Sequence, residues 1–240
     1  MLNPLFIIAL SILFYLLAFY KNAFVYAGFL LQGVYIFQRG IQLDRLPLVG
    51  PHDTLFFMSA SIILFAMPIA WQMKNKKRFM NSITGLVLFF ILISLLYPPH
   101  NSPLPPVLTT FWFETHVAFS FFSYALFGIA AVLGILYFFR NGETFEVYQY
   151  KAILVGYCFF SAAMIFGGIW AFLAWGTYWL WTPKELWTVI LWLFYSLYLH
   201  ARLRKQWAGK PAVILGTIGF LIVMFTYLGV SLLMKSSHSF

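Results

Sequence analysis

The chain has 240 residues, of which 62% are apolar and only 9% charged, with a formal net charge of +9. A soluble domain carries roughly a quarter charged residues, so this composition excludes a soluble fold and predicts an all-α, polytopic integral membrane bundle. The basic excess does not predict a nucleic-acid partner, because its residues sit in short clusters between apolar runs, where they act as topology signals.

Taken in chain order, the start Met-Leu-Asn-Pro lacks a basic leader, and no small-residue cleavage site follows it. It predicts a retained helix, with the mature chain beginning near Met1. A bilayer crossing needs about 20 apolar residues, and eight segments qualify as transmembrane helices: 4–20, 22–38, 54–73, 81–97, 116–139, 150–172, 185–203 and 211–234. The first two are short and could instead form one hairpin turning at Lys21. Residues 39–53, 98–115, 173–184 and the tail from Lys235 connect them on one side. Pro98, Pro99, Pro103, Pro105 and Pro106 make the second of these extended rather than helical. The whole reads as one membrane domain: N-terminal helices over 1–97, the Pro-rich outer loop, and a core over 116–240.

Eleven of the fifteen Lys and Arg residues fall on the opposite side and four on this one, namely Arg39, Arg45, Lys184 and Lys235. Positive residues are retained in the cytoplasm, so both termini are expected outside a bacterial cytoplasmic membrane. The lone Cys158 lies in an apolar run, which excludes an internal disulfide or a CxxC redox pair.

Topology sorts the histidines. His52, His100, His116 and His238 fall on the outer side, and His200 near the cytoplasmic end of the seventh helix. His116 opens the fifth helix and His238 follows the eighth by four residues, so both could reach one ligand. Trp170, Trp175, Tyr178, Trp179 and Trp181 crowd what reads as a non-helical loop, with Gly176 allowing a sharp turn. An interfacial aromatic belt explains one or two of them. The set together suggests a platform for a planar apolar ligand; a porphyrin fits, and imidazoles are common axial ligands of its iron.

Blander readings stand beside these. A single histidine at an interface is commonly a tolerated polar residue, and His200 beside Arg202 could simply snorkel, although intramembrane ionisable groups are costly enough to suggest function. For His52 and His100 loop polarity suffices, and Asp53 and Glu114 are expected to be solvated or helix-capping. Thr182-Pro183-Lys184-Glu185 reads as a helix start with a capping box. It puts Lys184 at the outer surface, where with Arg39 or Arg45 it could pair with propionate carboxylates. A small-molecule transporter without haem would explain the helices but not the outer histidines.

The run Trp175-Gly176-Thr177-Tyr178-Trp179-Leu180-Trp181-Thr182-Pro183-Lys184-Glu185-Leu186-Trp187 resembles the WWD signature of the haem-handling proteins of cytochrome c assembly, best the CcsA/ResC type. Tyr198 to Leu203 is similar to that family's cytoplasm-proximal histidine segment, Gly229 to Phe240 to its C-terminal outer histidine, and His116-Val117 with Tyr124 to its histidine before the signature. A weaker echo covers Leu46 to Leu55, with Asp53 where the family usually has Glu. The resemblance implies that His116 and His238 are the axial ligands of a bis-histidine haem b held against the loop of Trp170, Trp175, Trp179 and Trp181. It implies that His200 belongs to a path or site deeper in the membrane. It further implies delivery to the CxxCH thiols of apocytochrome c beside a CcsB/ResB-like membrane partner, with this chain a component of a haem lyase. Thr182 departs from the signature, which has Asp there. Relatives of the HemX type, which share the fold and histidines, leave open a haem b electron-transfer or haem-sensing subunit that does not ligate haem.

Overall fold

The computed structural model describes residues 3–73, 76–140 and 142–230. Among these the chain forms eight α-helices and no strand: α1 Pro4–Ala18, α2 Phe24–Leu43, α3 Pro51–Gln72, α4 Lys76–Ser94, α5 Phe111–Arg140, α6 Glu143–Trp175, α7 Pro183–Arg202 and α8 Lys210–Met224. Five of them, α3, α4, α5, α6 and α8 with the π turn that continues it, are long and apolar enough to cross a membrane. The shorter α1 is apolar but for Ser11 and the Tyr15 hydroxyl, whereas α2 and α7, of 20 residues each, carry more polar positions.

The helices separate into two compact units, residues 1–105 and 106–240, with the division inside the Pro-rich segment. In the first unit α1 and α2 form a hairpin. Asn3 caps α1 by accepting from the Leu5 amide at 3.0 Å, and Pro4 supplies a preset φ at the first helical position. The pair is joined by polar contacts that apolar surroundings strengthen. Ser11 donates to the Gly28 carbonyl (3.0 Å), and Tyr15 to Gln32 Oε1 (2.6 Å). Gln32 Nε2 donates onward to Ser59 (2.6 Å) and to the Phe56 carbonyl (3.1 Å), tying in α3.

In the second unit α5 and α6 are an antiparallel pair of 30 and 33 residues. At about 1.5 Å rise per residue these are longer than the roughly 30 Å hydrocarbon layer, so both project beyond it. α7 and α8 pack alongside, and α8 passes into a π turn at Phe225–Gly229.

Two expected boundaries are corrected. α5 begins at Phe111, so His116 lies more than a turn inside the helix rather than opening it. α6 runs from Glu143 to Trp175 instead of 150–172, because Phe172, Leu173 and Ala174 continue it until Gly176 adopts φ 72° and returns its amide to the Phe172 carbonyl. Glycine takes this left-handed C-terminal conformation without the Cβ clash that others incur.

Candidate functional site at the loop end of the second unit

The tryptophan segment divides between helix and loop. Trp170 and Trp175 sit on the last turns of α6, and only 176–182 is irregular. Trp170 is 5% exposed. Its indole N–H donates to the Val107 carbonyl at 2.7 Å, which pins the 3-10 turn Pro106–Leu108 onto α6. Phe113 packs 5.1 Å from its ring, and Trp175 stands edge-on at 4.8 Å and 70°.

Against Trp170 lies His116, nearly parallel at 12° with ring centroids 6.4 Å apart. His116 Nδ1 is 2.8 Å from the Ala163 carbonyl oxygen. A carbonyl only accepts, so Nδ1 carries the proton, and in the neutral ring Nε2 carries the in-plane lone pair. A histidine whose tautomer is fixed in this way by a backbone acceptor could bind a metal through Nε2. Room for the ring comes from Gly167: a Cβ there would stand 2.6 Å from Nδ1 and 2.8 Å from Cε1.

The irregular segment is held from below by one carboxylate. Glu185, in the first turn of α7, accepts from the Leu180 amide at 2.9 Å and the Thr182 amide at 3.0 Å, while Thr182 Oγ1 accepts from the Glu185 amide at 3.4 Å. The expected capping box is present, and it also reaches Leu180, beyond the helix start. Between these two amides Trp181 takes φ 56° and exposes its ring, at 70%. A bulky residue with positive φ is strained and persists only where its surroundings over-determine it. Trp179 meets Trp181 edge-to-face at 6.4 Å; its Nε1 is enclosed without a hydrogen-bonding partner among the described residues. Tyr178 stacks on Phe172 at 4.6 Å and 13°, folding the loop back over α6 where Gly168 leaves space beside the Tyr178 carbonyl.

Replacing Glu185 by Gln should therefore loosen the loop before it melts the helix, because Thr182 can still cap α7. We expect faster proteolysis or hydrogen exchange confined to 176–182, at a cost of about 1 kcal/mol for the weakened cap; unchanged exchange there would refute the anchoring role.

Lys184, beside this loop in the first turn of α7, is half-buried, and burial pushes its ammonium below the usual lysine range. A desolvated cation favours an anionic partner. His200 does not join the site: sixteen residues along α7, it lies about 24 Å away by helical rise. Its Nδ1 donates to the Ser196 carbonyl (2.7 Å), and it shares an exposed stripe with Leu186, Leu193 and Leu197. His238 lies outside the described residues. Among the described residues no cluster of three or more His, Cys, Asp or Glu could hold a metal ion.

The polar residues of the first unit differ from their expected roles. Asp53 is neither solvated nor a simple cap: it is 2% exposed and paired with Arg39, itself 7% exposed. Arg39 spends its other donors on Asn101 Oδ1 (2.6 Å) and the His100 carbonyl (2.9 Å), which commits it within this unit. His52 is buried in α3, donating from Nδ1 to the Ser94 carbonyl (3.0 Å) and accepting at Nε2 from Tyr35 (2.8 Å), so loop polarity does not explain it. Both ring nitrogens are used structurally. What the sequence reading missed around the candidate site is Gly167, the Val107 carbonyl and the reach of Glu185 to Leu180. The adjacent Gly167-Gly168 pair in an apolar run was the available signal.

A family model described as "Cytochrome C assembly protein" matches residues 49–238. A protein named "Cytochrome c biogenesis protein CcsA" from Guillardia theta is 30% identical over 238 residues, covering 84% of this chain and 79% of that protein. Like-named proteins are 37% identical over 152 residues in Chlamydomonas reinhardtii (58% of this chain, 43% of the relative) and 43% over 102 residues in Prochlorococcus marinus (42% and 33%).

Proposed function

The chain belongs to the cytochrome c assembly protein family, and from that premise we propose that it acts in cytochrome c biogenesis by holding haem b at the outer membrane face for attachment to apocytochrome c. The observation that carries this reading is His116: its Nδ1 proton is committed to the Ala163 carbonyl, which leaves Nε2 as the ligating nitrogen. His238 is the proposed second axial ligand. Trp179 and Trp181, backed by Trp170 and Trp175, line the ring. Lys184 and the Trp179 indole N–H are donors suited to propionate carboxylates. Haem, when held, supplies vinyl groups to which cysteine thiols add. The protein orients it, excludes water from one face and leaves an edge for the CxxCH segment.

In this reading the protein lies in a bacterial cytoplasmic membrane with both termini outside, a CcsB/ResB-like subunit beside it. His200 serves an inner site or path, and because it faces outward among exposed leucines, any second ligand there would come from another chain.

The test is the reduced-minus-oxidised visible spectrum of detergent-purified protein after haem supplementation. Sharp low-spin bands are expected; a colourless protein would end the haem reading.

Thr182 favours a second reading, a haem-sensing or electron-transfer subunit that does not ligate haem. Asp and Thr both cap helices, so Thr182→Asp should preserve geometry while adding a charge. Under the leading reading, covalent haem in a co-expressed cytochrome c is substantial for the unaltered protein and little changed by Thr182→Asp. Attachment seen with neither protein would favour the second reading.

A further inference from the structure

In the second unit, three polar atoms far from the tryptophan loop are enclosed with no hydrogen-bonding partner among the described residues: Gln149 Oε1, Tyr195 Oη and Tyr198 Oη. All three side chains are 0% exposed. Gln149 Nε2 donates toward the Ala130 carbonyl, the Val213 carbonyl and Thr217 Oγ1, each at 3.2 Å. Two of those acceptors are carbonyls, so the amide cannot be turned round, and Oε1 is the end left over.

The surrounding backbone is shaped for this group. A Cβ on Gly216 would stand 3.0 Å from the Tyr198 ring and 3.1 Å from Gln149 Nε2. One on Gly219 would stand 2.7 Å from Tyr195 Oη, and one on Gly134 would stand 2.5 Å from Gln149 Nε2. Glycines on α5 and α8 thus make room for the amide and the two phenols. Tyr195 and Tyr198 are three residues apart on α7 and share a face.

A polar atom buried without a partner is costly, and more so where bilayer surrounds the bundle. Internal water answers that cost when two to four polar partners converge on it. We propose that Gln149, Tyr195 and Tyr198 enclose a bound-water site between α6, α7 and α8. Gln149 Oε1 accepts from the water, and each phenol can donate or accept. The water adds a link among helices already joined by Tyr157–Ser196 (2.6 Å) and Trp192–Ser161 (3.0 Å) between α6 and α7, and by Gln149 to Val213 and Thr217 between α6 and α8.

The sign of a conservative substitution tests this. If the pocket is dry, Tyr195→Phe and Tyr198→Phe each remove an unpaired hydroxyl and should raise or leave unchanged the unfolding midpoint of the detergent-solubilised full chain. With water bound, each removes one of its partners, so the midpoint should fall by a few degrees, and the double variant should lose less than the two losses added together. X-ray radiolytic labelling in ¹⁸O water gives a second readout without mutation. Hydroxyl radicals formed from enclosed water should label Tyr195 and Tyr198 several-fold faster than Tyr15. Tyr15 is equally buried, but its hydroxyl is donated to Gln32 (2.6 Å). Midpoints that rise or stay unchanged in both Phe variants, or labelling no faster than at Tyr15, would overturn the proposal.

Discussion

His116→Ala should strip the low-spin haem bands from the purified protein while leaving its helical content and unfolding midpoint close to those of the parent. The side chain is half-buried, and its Nδ1 donates to the Ala163 carbonyl at 2.8 Å. Losing that hydrogen bond costs the scaffold on the order of 1 kcal/mol net. The substitution costs the iron an axial nitrogen altogether. Gly167→Ala is the subtler companion, because its new methyl would crowd the ring at 2.6 Å from Nδ1. It should turn the imidazole away from the Ala163 carbonyl and weaken haem retention by roughly 10- to 100-fold, as loss of support behind a ligand usually does. Free imidazole restoring the bands to His116→Ala but not to a His116→Ala/Gly167→Ala double variant would place the defect at the ligand position. Bands that survive His116→Ala unchanged would remove His116 as a ligand.

Much of the scaffold was legible because a helix that crosses a membrane announces itself by apolar length alone. The capping box at Thr182 and Glu185 was legible too, since it is a local pattern of four residues. The end of α6 was not: Phe172, Leu173, Ala174 and Trp175 suit a helix and an aromatic loop equally, and only the φ of Gly176 decides between them. Aromatic crowding thus misplaces Trp170 and Trp175 in irregular chain, where the structure has the last turns of α6. The orientation of His116 depended on Ala163 and Gly167, nearly fifty residues away, which no local pattern encodes. The first unit failed for a related reason. Loop polarity suffices for His52, solvent or a cap for Asp53 and a propionate for Arg39 when the sequence is read locally, yet Arg39 pairs with Asp53, His52 bonds Tyr35 and the Ser94 carbonyl, and the Arg39 partners reach as far as Asn101.

That buried pair carries the largest expected effect on stability. Asp53→Ala leaves the Arg39 guanidinium enclosed with, among the described residues, Asn101 and the His100 carbonyl as partners, neither of which carries charge. Removing one partner of a buried ion pair typically costs about 3–5 kcal/mol, whereas replacing both with well-packed apolar groups is often close to neutral. Asp53→Ala should accordingly lower the unfolding midpoint in detergent sharply, and Arg39→Met/Asp53→Leu should recover most of the loss. The double variant should nevertheless free 100–101 from α2, since Arg39 holds both residues there, and hydrogen exchange in that stretch should rise even where the midpoint recovers. A midpoint for Asp53→Ala within about 1 kcal/mol of the parent would place the pair among weak, solvent-screened contacts, against the burial of both side chains.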